Sequence, residues 1–499
     1  MAASTGGVSG RAGQFFTSRW GMLAAMLGMA VGTGNIWRFP RVAATNGGGS
    51  FLVAWVCFLL LWSVPLILVE FAMGKATRRG AVGAFARIAG RRFGWMGAWV
   101  AWTSTAIMFY YAVVTGWTIR YFWSAVIGEL PGGEPDAVWA SFAYTPAVVG
   151  VQALALGLAL WVVARGVRGI EAATRILIPS LFVLVVVLAI RAVTLPGAER
   201  GLAFLFTPSL EGLANYRVWL EALTQNAWDT GAGWGLILTY AIYMRRTEDT
   251  ALNAFLLGFG NNSVSLLAGI MVLCTVFSIM PGAATEIVGA GNEGLTFIWI
   301  PQLFGQMPAG RFFMGLFFLA LFFAAWSSLI SMVELATRVL VDAGVRRGVA
   351  IGVVGGAALA FGVPSALNQA VFLDQDFVWS VGLMMSGLFF ALAVLRYGVR
   401  RFRESFVNTA HSDIRVGRWW EWAIRLVVVE ASVLVVWWFV QVRNEPLFGP
   451  YGLGTVLLQW GIALALFIGF NGWLVRRSEV GVTAAGAAAA DGGVAALDR

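Results

Sequence analysis

Twelve stretches of this 499-residue chain are long and apolar enough to cross a bilayer, and this limits the fold before any single residue is weighed. They cover approximately residues 19–44, 49–74, 96–128, 146–164, 170–194, 217–246, 248–279, 310–342, 348–368, 377–398, 419–441 and 452–475. Each meets the roughly 17–25 residues that a helix rising 1.5 Å per residue needs to cross about 30 Å of hydrocarbon. Hydrophobic residues make up 59% of the chain and charged ones only 12%. Lipid satisfies no backbone amide or carbonyl, so such segments must close their hydrogen bonds internally as helices. The expected class is an all-α polytopic membrane protein.

The net charge of +9 invites a nucleic-acid reading, but its distribution argues against one. Most of the 34 Lys and Arg residues fall in segments that share one side of such a topology. These are the N-terminal tail with Arg11 and Arg19, Lys75 to Arg92, Arg165 to Arg175, Arg245-Arg246, Arg338 to Arg347, Arg396 to Arg418, and Arg476-Arg477. That bias places both termini in the cytoplasm and the chain in the cell membrane. Cys57 and Cys274 lie within apolar spans and read as small packed hydrophobes. The single His411 lies in a polar loop, which leaves a His-based metal or catalytic site without ligands. The first span is too long and too interrupted for a cleaved signal peptide.

Two spans are broken by glycine. Gly28-Met29-Ala30-Val31-Gly32-Thr33-Gly34-Asn35-Ile36-Trp37-Arg38-Phe39-Pro40 places three glycines within seven residues of the first span. The second break is Gln225-Asn226-Ala227-Trp228-Asp229-Thr230-Gly231-Ala232-Gly233-Trp234-Gly235. Glycine is a poor helix former. An unwound backbone at membrane depth survives only where protein, water or a solute takes up its polar groups. One such break in each half of the chain points to a midplane binding site between inverted repeats. Outside the spans, Asn46 to Ser50 reads as a tight turn, and Met280 to Pro308 as a longer external segment with an apolar stretch, Leu295 to Ile300.

Gly28 to Pro40 followed by Asn46-Gly47-Gly48-Gly49, then Arg165-Gly166 to Pro179, Gln225 to Gly235, and Ala324-Ala325-Trp326-Ser327-Ser328 strongly resemble the neurotransmitter:sodium symporter family. The resemblance runs in order over most of residues 14–400. It implies the LeuT-type fold of 5+5 inverted repeats with two extra C-terminal helices, helices 1 and 6 being unwound at the midplane. Composition makes the polar, Gly/Ser/Ala-rich 1–18 a loose cytoplasmic tail and the Ala/Gly-rich 479–499 a disordered one; between them the resemblance implies 19–194 as the first repeat, 195–400 as the second and 401–478 as the additional helices. It also implies sodium-coupled uptake of a small amine-bearing solute by alternating access, with no enzymatic step.

The resemblance carries the family's sites onto named positions. A second sodium site falls on carbonyls of Gly28, Val31 and Ala324 and hydroxyls of Ser327 and Ser328; hard oxygen donors suit sodium. Without the resemblance, Ser327 and Ser328 would read as helix serines bonding back to the preceding turn. The first sodium site falls on Ala30, Asn35, Asp229 and Asn261, where Asp229 replaces the usual Ser or Thr. A carboxylate at mid-span costs roughly 2.5–3.5 kcal/mol on insertion scales, so a functional role is its default reading. Three roles fit Asp229: sodium ligand, surrogate for the chloride that relatives bind at positions matching Gln225, Asn261 and Ser265, or proton carrier. Surrogate combined with ligand ranks first. Trp55 stands where a chloride-binding Tyr is expected, and this also favours a chloride-independent carrier using two sodium ions.

The implied substrate pocket comprises Ala30, Gly32, Thr33, Gly34, Ile107, Tyr111, Trp228, Gly231, Trp234, Ser328 and Met332. Tyr111 and the amides of Thr33 and Gly34 would hold a carboxylate. Trp228 and Trp234 read equally well as packing residues. Gly32, where monoamine carriers place an Asp, favours an amino acid with a neutral, apolar or aromatic side chain; Asp229 keeps open a carboxylate-free amine. Arg38 and Asp376 match an outer gate, with Asp374 as the nearby alternative, and Tyr243 and Asp342 an inner one. The inner gate's expected Arg is Gly13 here, with Arg11 close by. Glu70 and Glu334 read as braces between helices. A sensor on the same fold is the second reading, disfavoured because the gates are retained. The partners implied are a small-molecule substrate and the bilayer, not nucleic acid; no residue pattern points to an oligomeric state. No P-loop or metalloprotease motif appears.

Overall fold

The structure, a computed structural model, describes residues 15–132 and 134–490. The principal helices are α1 (Arg19–Ala30), α2 (Phe39–Thr45), α3 (Gly49–Thr77), α4 (Gly94–Ile127), α5 (Pro146–Ala164), α6 (Gly166–Val193), α7 (Tyr216–Asp229), α8 (Leu236–Ala241), α9 (Thr250–Ile279), α10 (Gly310–Asp342), α11 (Arg347–Leu367), α12 (Gln369–Tyr397), α13 (Trp419–Gln441), α14 (Leu453–Gly469) and α15 (Asn471–Ala490). Among the described residues, nine are unbroken helices that could cross a membrane by length and composition. The other three expected spans are the two broken ones, α1/α2 and α7/α8, and α14, which turns by 66° into α15. Each set of five spans thus opens on a broken helix. α4 and α10 pack along one another at the centre, and α13 and α14 lie outside against α12.

The breaks are narrower than the glycine spacing suggests. Ser18 caps α1, its Oγ accepting from Gly21 N at 3.0 Å. The helix ends at Val31, whose backbone is extended, and a π-turn over Gly34–Arg38 leads into α2. Only about two residues leave the helix. The second break is wider: Gly231, Gly233 and Gly235 adopt φ of 71°, 88° and 77° before α8. This left-handed region is open to glycine at little cost and to other residues at more. The fully buried Glu70 of α3 stabilises that loop, accepting from Gly233 N at 2.7 Å and Leu238 N at 3.1 Å.

Three expectations at the chain's ends and in its loops are corrected. Residues 15–18, expected as part of a loose tail, are strapped down. Glu171 accepts from Thr17 N and Thr17 Oγ1, both at 2.7 Å, and from Ser18 N at 3.1 Å. Residues 479–490, expected to be disordered, continue α15, because an alanine-rich run is a strong helix former. The rest of both expected tails, 1–14 and 491–499, lies outside the described residues, and with it Arg11 and Gly13. The span expected to reach residue 246 stops as a helix at Ala241, and Arg78 Nη1 closes the freed end on Ile242 O and Met244 O.

The strap, the loop after α3, the ends of α8 and α10, and α15 all meet on one side, called here the proximal face. On the opposite, distal face, residues 281–305 form short helices, among them a π-turn over Gly294–Trp299, that close over a cavity.

Candidate functional site

Both broken helices and α9 converge on one buried polar network. Asn35 Oδ1 accepts from Gly32 N at 2.8 Å, which ties the π-turn back to the break. Asn35 Nδ2 donates to Asn261 Oδ1 at 3.0 Å and to Ser265 Oγ at 2.8 Å. Ser265 Oγ and Gln225 Nε2 both donate to Asp229 Oδ2, each at 3.1 Å, and Gln225 Nε2 also reaches Gly34 O at 3.3 Å. Asp229 Oδ1 and Gln225 Oε1 are buried and meet no donor. A buried carboxylate oxygen left without a partner is costly unless a cation or a proton completes it. The donor set of carboxylate, amides and hydroxyl is hard and oxygen-rich, so it fits an alkali cation.

A second cluster joins α1 to α10. Ser328 Oγ donates to Val31 O at 3.2 Å, with Met29 O at 3.4 Å, while Ser327 Oγ bonds back to Ala324 O at 3.1 Å. A Cβ on Gly28 would stand 3.2 Å from Ser327 Cβ and 2.9 Å from Ile178 Cδ1, so glycine is what lets α1 lie against α10 here. Gly28, Val31, Ala324, Ser327 and Ser328 are thus drawn together. The extended backbone at Val31 is what turns its carbonyl out of the helix ladder towards Ser328.

Between the two clusters lies a cavity of only about 20 Å³, room for a water or two. Ala30, Gly32, Gly34, Tyr111, Trp228, Gly231, Trp234, Ser328 and Met332 line it, joined by Met29, Asn35, Asp229 and Leu236. Thr33 and Ile107 do not. Thr33 faces the distal cavity, and Ile107, fully buried, sits one turn from Tyr111 along α4. Tyr111 Oη accepts from Thr33 N at 3.0 Å and Thr33 Oγ1 at 3.2 Å. Trp228 and Trp234 pack edge to face at 5.4 Å.

Above this small pocket a cavity of about 530 Å³ opens distally, and Arg38 and Asp376 both line it. They are not among the ion pairs of the described residues; Arg38 lies over the Trp228 ring at 5.5 Å and Asp376 Oδ1 accepts from Ser380 at 3.5 Å. The expected outer gate is therefore apart, with the cavity between its halves. Asp374 is no substitute, since it accepts from Gln375 at 3.2 Å and Gln459 at 3.0 Å. At the rim, Glu293 accepts from Tyr144 at 3.0 Å, and Arg41 Nε donates to Asn292 at 2.7 Å. Burial pushes the Glu293 carboxyl up to about 7, with the negative Asp376 adding to the effect and the Tyr144 hydroxyl opposing it.

The proximal side is closed. Phe16 packs edge to face on Tyr240 and Tyr243, and its amide donates to Tyr243 O at 3.1 Å. Tyr243 and Asp342 do not meet each other. Tyr243 Oη donates to Glu334 at 2.6 Å, and Asp342 pairs with Arg338 at 2.7 Å and accepts from Gly80 N at 2.6 Å. Glu334, fully buried, also takes both arms of Arg347, at 2.5 and 3.1 Å.

A family model described as the sodium:neurotransmitter symporter family matches residues 14–148 and 147–475. The chain belongs to that family. It is 30% identical to an uncharacterized sodium-dependent transporter of Methanocaldococcus jannaschii over 89% of this chain and 94% of the relative. It is equally identical to one of Bacillus subtilis, over 84% and 96%. Among solved structures it is similar to MhsT in complex with L-phenylalanine, with TM-score 0.74, 30% identity, and coverage of 85% of this chain and 98% of that one. The chain is therefore a sodium-dependent transporter of the LeuT-type fold, in a family of transporters rather than enzymes.

Within this family assignment, sequence reasoning missed Glu70 as the clamp on the second break and Arg347 as the partner of Glu334. Glu70 and Glu334 were visible as charges at membrane depth, which must find partners and read as braces, whereas Arg347 read only as one of the cytoplasmic charges. It also missed Phe16, whose role depends on where the strap before α1 folds. Trp55, singled out for the chloride position, packs on Phe39 at 4.6 Å with its indole nitrogen unpartnered.

Proposed function

We propose that this protein imports a small amino acid together with sodium, and that Asp229 replaces the chloride used by relatives. The observation that carries the reading is the network ending on the unpartnered Asp229 Oδ1, at the junction of both broken helices and beside the central cavity. A fixed carboxylate there supplies the negative charge that a bound chloride would supply. Asn35, Asn261, Asp229 and the carbonyl of Ala30 would hold one sodium. Gly28, Val31, Ala324, Ser327 and Ser328 would hold a second. With both termini cytoplasmic in the cell membrane, the distal cavity faces outside, and each inward sodium charge gains about 2.3 kcal/mol per 100 mV.

Two features support an amino acid with a neutral side chain. The Thr33 amide and Tyr111 hydroxyl, now bonded to each other, form a pair that a carboxylate could enter. A Cβ on Gly32 would meet Tyr111 Oη at 2.9 Å and Ser328 Oγ at 3.0 Å, so an acid at the position where monoamine carriers place one would have to push both hydroxyls aside. MhsT was solved with L-phenylalanine, and Trp228, Trp234 and Met332 suit an apolar or aromatic side chain. Asp229 lining the same cavity favours one second reading, an amine without a carboxylate paired to it.

The test is uptake of a labelled amino-acid panel into proteoliposomes with an inward sodium gradient and gluconate in place of chloride. Uptake that collapses when potassium replaces sodium is expected. Asp229→Asn is expected to weaken sodium-dependent binding roughly tenfold or more, or to make it depend on chloride. Unchanged binding by that variant in chloride-free sodium would overturn the role given to Asp229.

A further inference from the structure

A second large recess lies away from the transport path, on the lipid-facing flank. It is a groove of about 660 Å³ between the distal ends of α4 and α10, walled by Phe122, Ala125 and Val126 on one side and Gly315, Leu316 and Leu319 on the other. Val126 and Phe312 are about half exposed at its edges, and a Cβ on Gly315 would meet nothing within 4 Å, so the groove is open along its length. Its volume falls in the range of ligand sites, roughly 300–1,000 Å³.

The groove has one polar end. Arg311 reaches across it to close the end of α4, its Nε donating to Ala125 O at 3.2 Å and Nη2 to Val126 O at 2.5 Å. Its Nη1 has no hydrogen-bond partner among the described residues, and Arg311 is in none of their ion pairs. The first residues of α10, Gly310 and Arg311, line the same end of this 33-residue helix; Gly310 N and Phe312 N are taken by Met307 O and Ala309 O, which leaves the Arg311 amide as the first-turn N–H without a partner among the described residues. No acidic side chain lines the groove. A spare guanidinium nitrogen and a helix N-terminus above an apolar trough match a phosphodiester headgroup followed by an acyl chain. The missing acid leaves nothing to hold the ammonium of a zwitterionic headgroup, which favours a net negative lipid.

We propose that this groove is a binding site for one anionic phospholipid, with its phosphate on Arg311 and the α10 N-terminus and an acyl chain along Gly315 to Leu319. The lipid joins the helix that carries Tyr111 to the helix that carries Ser327 and Ser328. This inference stands apart from the substrate reading.

The test uses the full chain, purified in mild detergent and titrated with phosphatidylglycerol or phosphatidylcholine, with bound lipid read by native mass spectrometry. One phosphatidylglycerol per chain is expected, held roughly tenfold more tightly than phosphatidylcholine. Gly315→Trp fills the trough and should abolish the bound lipid. Arg311→Gln should remove the preference for phosphatidylglycerol, and Arg311→Lys should restore part of it. Gly352→Trp, at another open glycine on α11, should change nothing. Equal retention of both lipids by the unaltered protein, or undiminished retention by Gly315→Trp, would overturn the proposal. So would a dimer, seen by light scattering, that Gly315→Trp dissolves, because a second copy would then be the occupant. If Gly315→Trp does not fold, the comparison of Arg311→Gln with Arg311→Lys decides.

Discussion

Glu293 shows how one side chain can record the state of the distal cavity. Its carboxyl is half-buried at the rim beside Tyr144 and raised from 4.5 to about 7. The folded protein then holds a proton that the unfolded chain releases, so this group's contribution to stability falls as pH rises from about 4.5 to about 7. Glu293→Gln should remove that slope, and thermal unfolding at several pH values in detergent would show it; an unchanged slope would mean that Glu293 is solvated. At this same scale the glycine breaks were readable from the chain, whereas the positions of Gly28, Ser327 and Ser328 came from the family resemblance, and Ser327 does bond back to Ala324 as an isolated helix serine would. Gly28 allows close approach and Ser328 offers a hydroxyl to free carbonyls. Thr33 and Ile107 do not line the 20 Å³ space: Thr33 bonds the Tyr111 hydroxyl from the distal side, and Ile107 is fully buried in α4.

The broken helices are the elements on which the site depends, and their cost is met by side chains from other elements. Glu70 takes two backbone N–H groups of the second break from α3. Glu70→Ala would leave both buried and unsatisfied, for an expected loss of about 2–5 kcal/mol, whereas Glu70→Gln keeps one acceptor and should lose less. Denaturant or thermal unfolding measures the difference, and equal losses would argue that packing alone shapes the loop. The existence of two breaks was legible from glycine spacing within apolar runs. Their extent was not, since α-helical, π-turn and unwound backbone differ by small terms that Asn35 and Asn226 settle through long-range hydrogen bonds to Asn261, Ser265 and Trp55. The extension of α15 past residue 479 was missed for the opposite reason: alanine propensity was outweighed in the reading by the run's lack of hydrophobic anchors.

Across the whole molecule the proximal face is shut while the distal face is open. Twelve spans and their order were legible because hydropathy and charge bias act over long windows. The conformation was not, because it depends on a balance among Phe16, Glu334–Arg347 and the parted Arg38 and Asp376 that no local pattern encodes. Phe16→Ala should loosen the proximal closure and raise hydrogen exchange at residues 240–244; unchanged protection there would place the closure on Glu334 and Arg347 alone. Among the described residues the same architecture sets apart two groups of glycine with different mutational fates. Gly150, Gly157, Gly352 and Gly356 would each present a new Cβ to empty space, so a saturation library should accept apolar residues there freely. Gly231, Gly233 and Gly235 hold backbone angles that other residues adopt at a cost of roughly 1 kcal/mol or more each. Drift in this protein should therefore be arrested in a five-residue window that a hydropathy plot shows as unremarkable, and be freest on glycines that the plot cannot tell apart from them.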